Sequence, residues 1–104
     1  MAADFLRTWF PGIRRAAPAG AADLGDLLGV EDLTLQVKGA HAMTLSKWVL
    51  QAEVQSVRAR TRFYAVIHRR WGKAPGQWYV TMPLVVFANL YTQTLEGSHL
   101  AEGA

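Results

Sequence analysis

Residues Leu33-Thr34-Leu35-Gln36-Val37-Lys38 alternate strictly between apolar and polar side chains, and this alternation constrains the fold more than any other stretch. Period two is the signature of a strand. Leu33, Leu35 and Val37 fall on one face and Thr34, Gln36 and Lys38 on the other, so Gln36 and Lys38 emerge side by side. Leu27, Leu28 and Val30 form a short apolar stretch just before, and Glu31 and Asp32 interrupt, which predicts two short antiparallel strands. Asp26 stands at the far end of the paired strand, from where it can reach Gln36 and Lys38.

The flanking sequence reads as support. Ala2 to Phe10 carries Phe5, Leu6, Trp9 and Phe10 and predicts a short helix stopped by Pro11-Gly12. Ile13 to Ala16 reads as an edge strand, and the Ala-Pro-Ala-Gly-Ala-Ala run as a loop leading to Asp23. Gly39 to Met43 is a connector, and Thr44 is the expected N-cap of a helix reaching about Arg60. On that helix Leu45, Trp48, Val49, Ala52, Ser56 and Ala59 form one stripe at helical spacing, and Leu50, Val54 and Val57 form a second. A helix apolar on two sides is either sandwiched inside the fold or covered by a partner; here a C-terminal helix, through Phe87, Leu90 and Tyr91, or a second copy of the chain can cover it.

Tyr64 to Ile67 is a continuous apolar run inside Arg62 to Arg70, as in a strand buried on both faces, and the helix before it predicts a crossover connection. Gly72 to Gly76 reads as a turn and Gln77 to Met82 as a neighbouring strand. Pro83 suits the first position of a final helix carrying Leu84, Val85, Phe87, Ala88, Leu90, Tyr91 and Leu95. Periodicity alone therefore predicts a small mixed α/β domain.

With 104 residues the chain has room for one domain and one site. The absence of cysteine excludes disulfides and a cysteine-built zinc centre. No signal-peptide pattern opens the chain, and the longest apolar run, Leu84 to Ala88, is far too short to span a bilayer, so a soluble cytoplasmic protein without membrane association is expected. The formal charge is only +3, but its distribution is uneven. Every acid lies at or before Glu53 or at or after Glu96, while Arg58, Arg60, Arg62, Arg69, Arg70 and Lys73 crowd the interval, which favours a polyanionic partner. Arg14 and Arg15 lie close to Asp26 and either solvate an edge strand, one of them pairing with Asp26, or contact phosphate. His41, His68 and His99 are not at metal-ligand spacing. Trp71, between Arg70 and Gly72 with Arg69 and Lys73 close by, either stacks on an unpaired base or caps the sheet edge.

Four stretches carry a family resemblance: Gly25-Asp26-Leu27-Leu28-Gly29; Gln36-Val37-Lys38; Trp48 with Gln51-Ala52-Glu53; and Trp78-Tyr79-Val80-Thr81-Met82-Pro83. Together they resemble the PD-(D/E)XK nucleases, and within them the small Holliday junction resolvase-like proteins of phages. The resemblance spans roughly Phe5 to Leu95. It implies an α/β fold with a restriction-endonuclease-like core, αβββαβ plus an added strand and helix, over residues 1–95, followed by a flexible tail over 96–104. It places Asp26 where the family keeps its metal-binding aspartate, Gln36 where it keeps the second acid, and Lys38 where it keeps the lysine. Gln51 falls where some of these nucleases carry a glutamine that holds phosphate or water; a solvated glutamine is the plain alternative.

The activity implied is Mg²⁺-dependent hydrolysis of phosphodiester bonds in branched or structured DNA, with Mn²⁺ as a substitute metal. Asp26, the Gln36 amide oxygen and the Val37 carbonyl would ligate the metal, and Lys38 would orient water or offset negative charge. Arg14, Arg15, Arg69, Arg70 and Lys73 would contact DNA. A homodimer is implied, located in the host cytoplasm if the chain is phage-encoded. Two features depart from the family. Gln36 is an amide, which removes one formal charge and leaves Asp23, Glu31 or Asp32 to compensate, and the N-terminal helix offers only Asp4 where these resolvases supply a further glutamate. The alternative expectation is a catalytically inactive DNA-binding or protein-binding module of the same fold.

Overall fold

The structure, a computed structural model, describes residues 1–17, 25–39 and 44–103, with side chains as far as residue 97. Its elements are α1 (Ala2–Leu6), β1 (Arg14–Arg15), β2 (Leu27–Leu28), β3 (Leu33–Lys38), α2 (Leu45–Ala59), β4 (Phe63–His68), β5 (Tyr79–Thr81) and α3 (Leu84–Gly103), with a 3₁₀ turn at Pro75–Gln77. The strands form one sheet in the order β1-β2-β3-β4-β5. β1, β2 and β3 pair antiparallel, β3 and β4 pair parallel, and β5 returns antiparallel to β4. A parallel pair cannot be joined by a tight turn, and α2 supplies the crossover. The fold is α/β, a small five-stranded mixed sheet flanked by helices.

The period-two pattern of β3 sorts its side chains as expected. Leu35 packs with Ala2, Ala3, Ile13, Leu27 and Ile67 in a core on the α1 side, where Leu33 and Val37 also pack. Thr34 and Gln36 are buried on the other side, beneath α2. There a second, smaller core of Trp48, Ala52 and Val66, flanked by Val49 and Tyr64, holds α2 to the sheet. β4 is buried at five of its six positions, as its apolar run predicts for an interior strand.

α2 closes on Arg60, whose left-handed backbone (φ 57°) brings its N–H to the carbonyls of Ser56 and Val57. Thr44 occupies the N-cap position but makes no side-chain cap bond. The second stripe of α2 is uncovered: Leu50, Val54 and Val57 are 59%, 43% and 73% exposed. α3 does not lie over it. That helix follows β5 at the sheet edge, buries Val86, and leaves Leu84, Val85, Phe87, Tyr91 and Leu95 exposed. Helical backbone continues over residues 96–103, the stretch read as a tail. Most of the loop and connector expected over 17–22 and 39–43 lies outside the described residues.

One close approach ties the two halves of the α1-side core together. Gly29 has φ +91°, and a Cβ there would stand 2.1 Å from the Gly12 carbonyl oxygen. Gly29→Ala therefore combines a strained backbone with a backbone clash, and is expected to cost more than about 2 kcal/mol. Chemical denaturation measures this; a loss below about 0.5 kcal/mol would mean that the contact does not persist in solution.

Candidate functional site

Asp26 is fixed through its backbone before its side chain acts. Its N–H donates to the Leu35 carbonyl at 2.8 Å and its carbonyl accepts the Ala16 N–H at 2.9 Å, so it is pinned between β1 and β3. Gly25, at φ +111°, precedes it; a Cβ there would lie 3.1 Å from both the Leu35 carbonyl and the Thr34 methyl. So held, the Asp26 carboxylate accepts the Val37 N–H through Oδ2 at 2.8 Å. In β3 the even residues turn their backbone toward β4, where the Lys38 carbonyl accepts the Arg69 N–H at 2.9 Å, and the odd residues turn theirs toward β2. The Val37 carbonyl thus projects from the edge that Asp26 occupies.

On the α2 side the polar residues of β3 form a ladder. Thr34 and Thr61 share a hydroxyl hydrogen bond at 2.6 Å, Gln36 Nε2 donates to Gln55 Oε1 at 3.3 Å, and Lys38 Nζ donates to Gln51 Oε1 at 3.1 Å. The match is geometric. Two strand residues advance about 6.6 Å and one four-residue step of a helix about 6 Å, so Gln36 and Lys38 meet Gln55 and Gln51 in register on a helix running the opposite way. Gln36 is 1% exposed, and its Oε1 and the His68 Nε2 are buried without a hydrogen-bond partner among the described residues. His68 is the cross-strand neighbour of Lys38 and meets Trp48 edge-on at 5.4 Å. Burial pushes its imidazole below the ordinary histidine value.

A cleft of about 520 Å³ opens on the α1 side, lined by Arg15, Asp26, Val37, Arg69, Trp78 and the first residues of α1. Among the described residues that line it, the charged side chains are one carboxylate and two guanidinium groups. Among the described residues the ion pairs are Met1 with Asp4, Arg7 with Asp4, and Arg62 with Asp32, so Asp26 is not paired with Arg14 or Arg15. Arg14 is exposed on β1 and does not line the cleft, and Lys73 is exposed in the β4–β5 turn. Arg69 lies 4.0 Å over Trp71 and 5.7 Å from Trp78, and Arg70 lies 4.4 Å over Tyr79.

The structure therefore brings Asp26 to Val37 and Lys38 to Gln51 at one end of β3, and turns Gln36 away from the cleft into the α2 interface. Glu31 and Asp32 sit at the opposite end of the strand, about 20 Å from Lys38, so neither stands near Asp26 and Lys38 as the resemblance left open. Asp32 instead accepts from the backbone and guanidinium of Arg62, and those bonds hold its carboxyl below the usual range. Asp23 lies outside the described residues. No group of three acidic, histidine or cysteine side chains able to hold a metal occurs among the described residues. Two neighbours were not singled out from sequence, Gln55 and His68. Gln55 stands seven residues after Trp48, on the buried stripe, and that spacing marks it; His68 becomes a neighbour only through the β3/β4 register.

No protein family, curated protein or solved structure matches the chain. No helix among the described residues is long and apolar enough to cross a membrane.

Burial of neutral His68 makes stability pH-dependent. Its folded pKa lies below the unfolded value, so the unfolded chain takes up the proton first as pH falls, and stability drops below about pH 6.5. The lowered carboxyls of Asp4 and Asp32 act only below about pH 4. Urea midpoints should decline between about pH 6.5 and 5, and His68→Gln should remove part of the decline. Parallel curves for the two proteins would show that His68 does not titrate across this range.

Proposed function

We propose that the chain is a Mg²⁺-dependent endonuclease acting on branched or otherwise structured DNA, as a homodimer. The observation that carries this reading is Asp26 in one cleft with Arg15 and Arg69, with Lys38 at the same end of β3 on the other face of the strand. The element order α-β-β-β-α-β with an added strand and helix, the order implied by the resemblance to PD-(D/E)XK nucleases, supports it.

The donors on the cleft side suit a hard cation because both are oxygens, the Asp26 carboxylate and the Val37 carbonyl on the same strand edge; the Gln36 amide, expected as a further ligand, is turned under α2. Mg²⁺ held in the cleft would supply charge neutralisation and an activated water. Asp26 is the only acid among the described residues that line the cleft, so the protein would hold the ion weakly without a bound phosphate. Arg15 and Arg69 hold the phosphate, and Lys38, oriented by Gln51, directs the attacking water or offsets charge on the leaving oxygen.

A second reading, an inactive DNA-binding or protein-binding module, is favoured by one observation. With Gln36 uncharged and turned under α2, the cleft carries net positive charge and suits a phosphate better than a metal ion. Cleavage of a synthetic four-way junction in Mg²⁺ or Mn²⁺, beside linear duplex, separates the two. Asp26→Ala and Lys38→Ala should each lower cleavage by at least about a hundredfold while folding and DNA binding persist. Wild-type rates in Asp26→Ala would refute the site, and a wild type inert in both metals would leave the binding module.

The homodimer rests on apolar surface. Leu50, Val54 and Val57 on α2 and Leu84, Val85, Phe87 and Tyr91 on α3 are exposed, more than a small monomer ordinarily leaves uncovered. A two-fold interface of standard size takes about 800 Å² from each partner. Val54→Glu should give a folded monomer by light scattering that only nicks junctions. An unchanged dimer would remove this face from the interface.

A further inference from the structure

The connection from β4 to β5 lays two successive arginines on aromatic rings. Arg69 is over Trp71 at 4.0 Å and Arg70 over Tyr79 at 4.4 Å. Neither arginine has an acidic partner among the described residues, and no acid occurs in sequence between Glu53 and Glu96. A guanidinium held over a ring face still has N–H donors to offer planar or tetrahedral oxyanions.

The turn is held from within. Arg70 Nη1 donates to the Gln77 carbonyl at 2.9 Å, and Trp78 Nε1 donates to the Lys73 carbonyl at 3.0 Å. It also adjoins the candidate site: a Cβ on Gly39, the residue after Lys38, would stand 3.9 Å from Arg69 Cδ and 4.0 Å from Trp71 Cζ2. Arg69 itself lines the cleft that holds Asp26. Trp71 and Tyr79 present 48% and 56% of their surface to solvent, although aromatic rings of this size are ordinarily core material.

We infer that this turn is a docking element for unpaired nucleotides, in which Arg69 and Arg70 take backbone phosphates and Trp71 and Tyr79 stack on bases. It rests on the nucleic-acid reading above and narrows the substrate to DNA that offers splayed or single-stranded bases beside the cleft. Chemistry selects the ligand. Exposed rings paired with cations fit a polyanion carrying flat faces, and a continuous duplex hides those faces in its own stack, whereas a strand end or the crossing of a branched duplex offers them.

Fluorescence anisotropy in EDTA, which reads binding apart from cleavage, tests this with a labelled oligothymidylate of about fifteen nucleotides and a duplex of the same length. Trp71→Ala and Tyr79→Ala should each weaken oligothymidylate binding between about fivefold and about a hundredfold and change duplex binding less than about twofold. Trp71→Phe should restore most of the loss, with far-UV circular dichroism confirming folding. Replacing Arg69 and Arg70 together by alanine should flatten the salt dependence on both ligands. Equal losses on both ligands, no loss, or an oligothymidylate that the wild type does not bind would overturn the inference. Ring-dependent binding without cleavage in any metal would uphold it and overturn the nuclease; junction cleavage with ring-independent binding would do the reverse.

Discussion

The parallel pairing of β3 with β4 is the constraint on which the rest depends. Six residues of each strand pair in register, from Leu33 against Phe63 to Lys38 against His68. Because the strands run the same way, the chain must travel the length of the sheet between them, and α2 is that return. The helix has to lie across the face that carries Thr34, Gln36 and Lys38. The antiparallel strands β1 and β2 complete one edge, and β5 with α3 the other. One register therefore decides what α2 touches and which end of β3 opens toward Arg69.

The two faces of the sheet do different work. The α1-side core is aliphatic, and its burial supplies most of the hydrophobic stabilisation. Beneath α2 the apolar contact is small, and Thr34, Gln36, Gln55, Ser56 and His68 are buried with it. Polar groups out of water stabilise only as far as they are hydrogen-bonded, so this interface contributes alignment more than energy. The ladder from Thr34 to Lys38 accepts one register of helix on strand and penalises slippage, which would strand buried amides. Gln36 thus has a structural role of its own, independent of any ligand, and a carboxylate in its place would have to tolerate Gln55 at close range.

Electrostatics at the end of β3 follows from the same geometry. Asp26 satisfies the Val37 N–H, which β2, only two residues long, does not reach, and in doing so it brings a carboxylate into the cleft that Arg15 and Arg69 also line. Lys38 emerges on the opposite face, with its ammonium steered by Gln51. The two groups flank one strand end from two sides.

Local pattern was enough for the elements themselves. The alternation of Leu33 to Lys38, the helical spacing from Leu45 to Ala59 and the apolar run Tyr64 to Ile67 each report a period or a burial that a segment expresses alone, and the structure places β3, α2 and β4 there. The second stripe of α2 was legible in the same way, but not its fate, because covering it depends on where α3 leaves the sheet. Asp26 and Lys38 were nominated from sequence and stand at one strand end. The hydrogen bond of Asp26 to a backbone N–H, the turning of Gln36 onto Gln55, the meeting of His68 with Lys38 and the joining of Arg15 with Arg69 were not legible. Hydrophobic periodicity states which face of a segment is buried; what lies against that face is decided by the register between segments far apart in the chain, and only tertiary packing sets it.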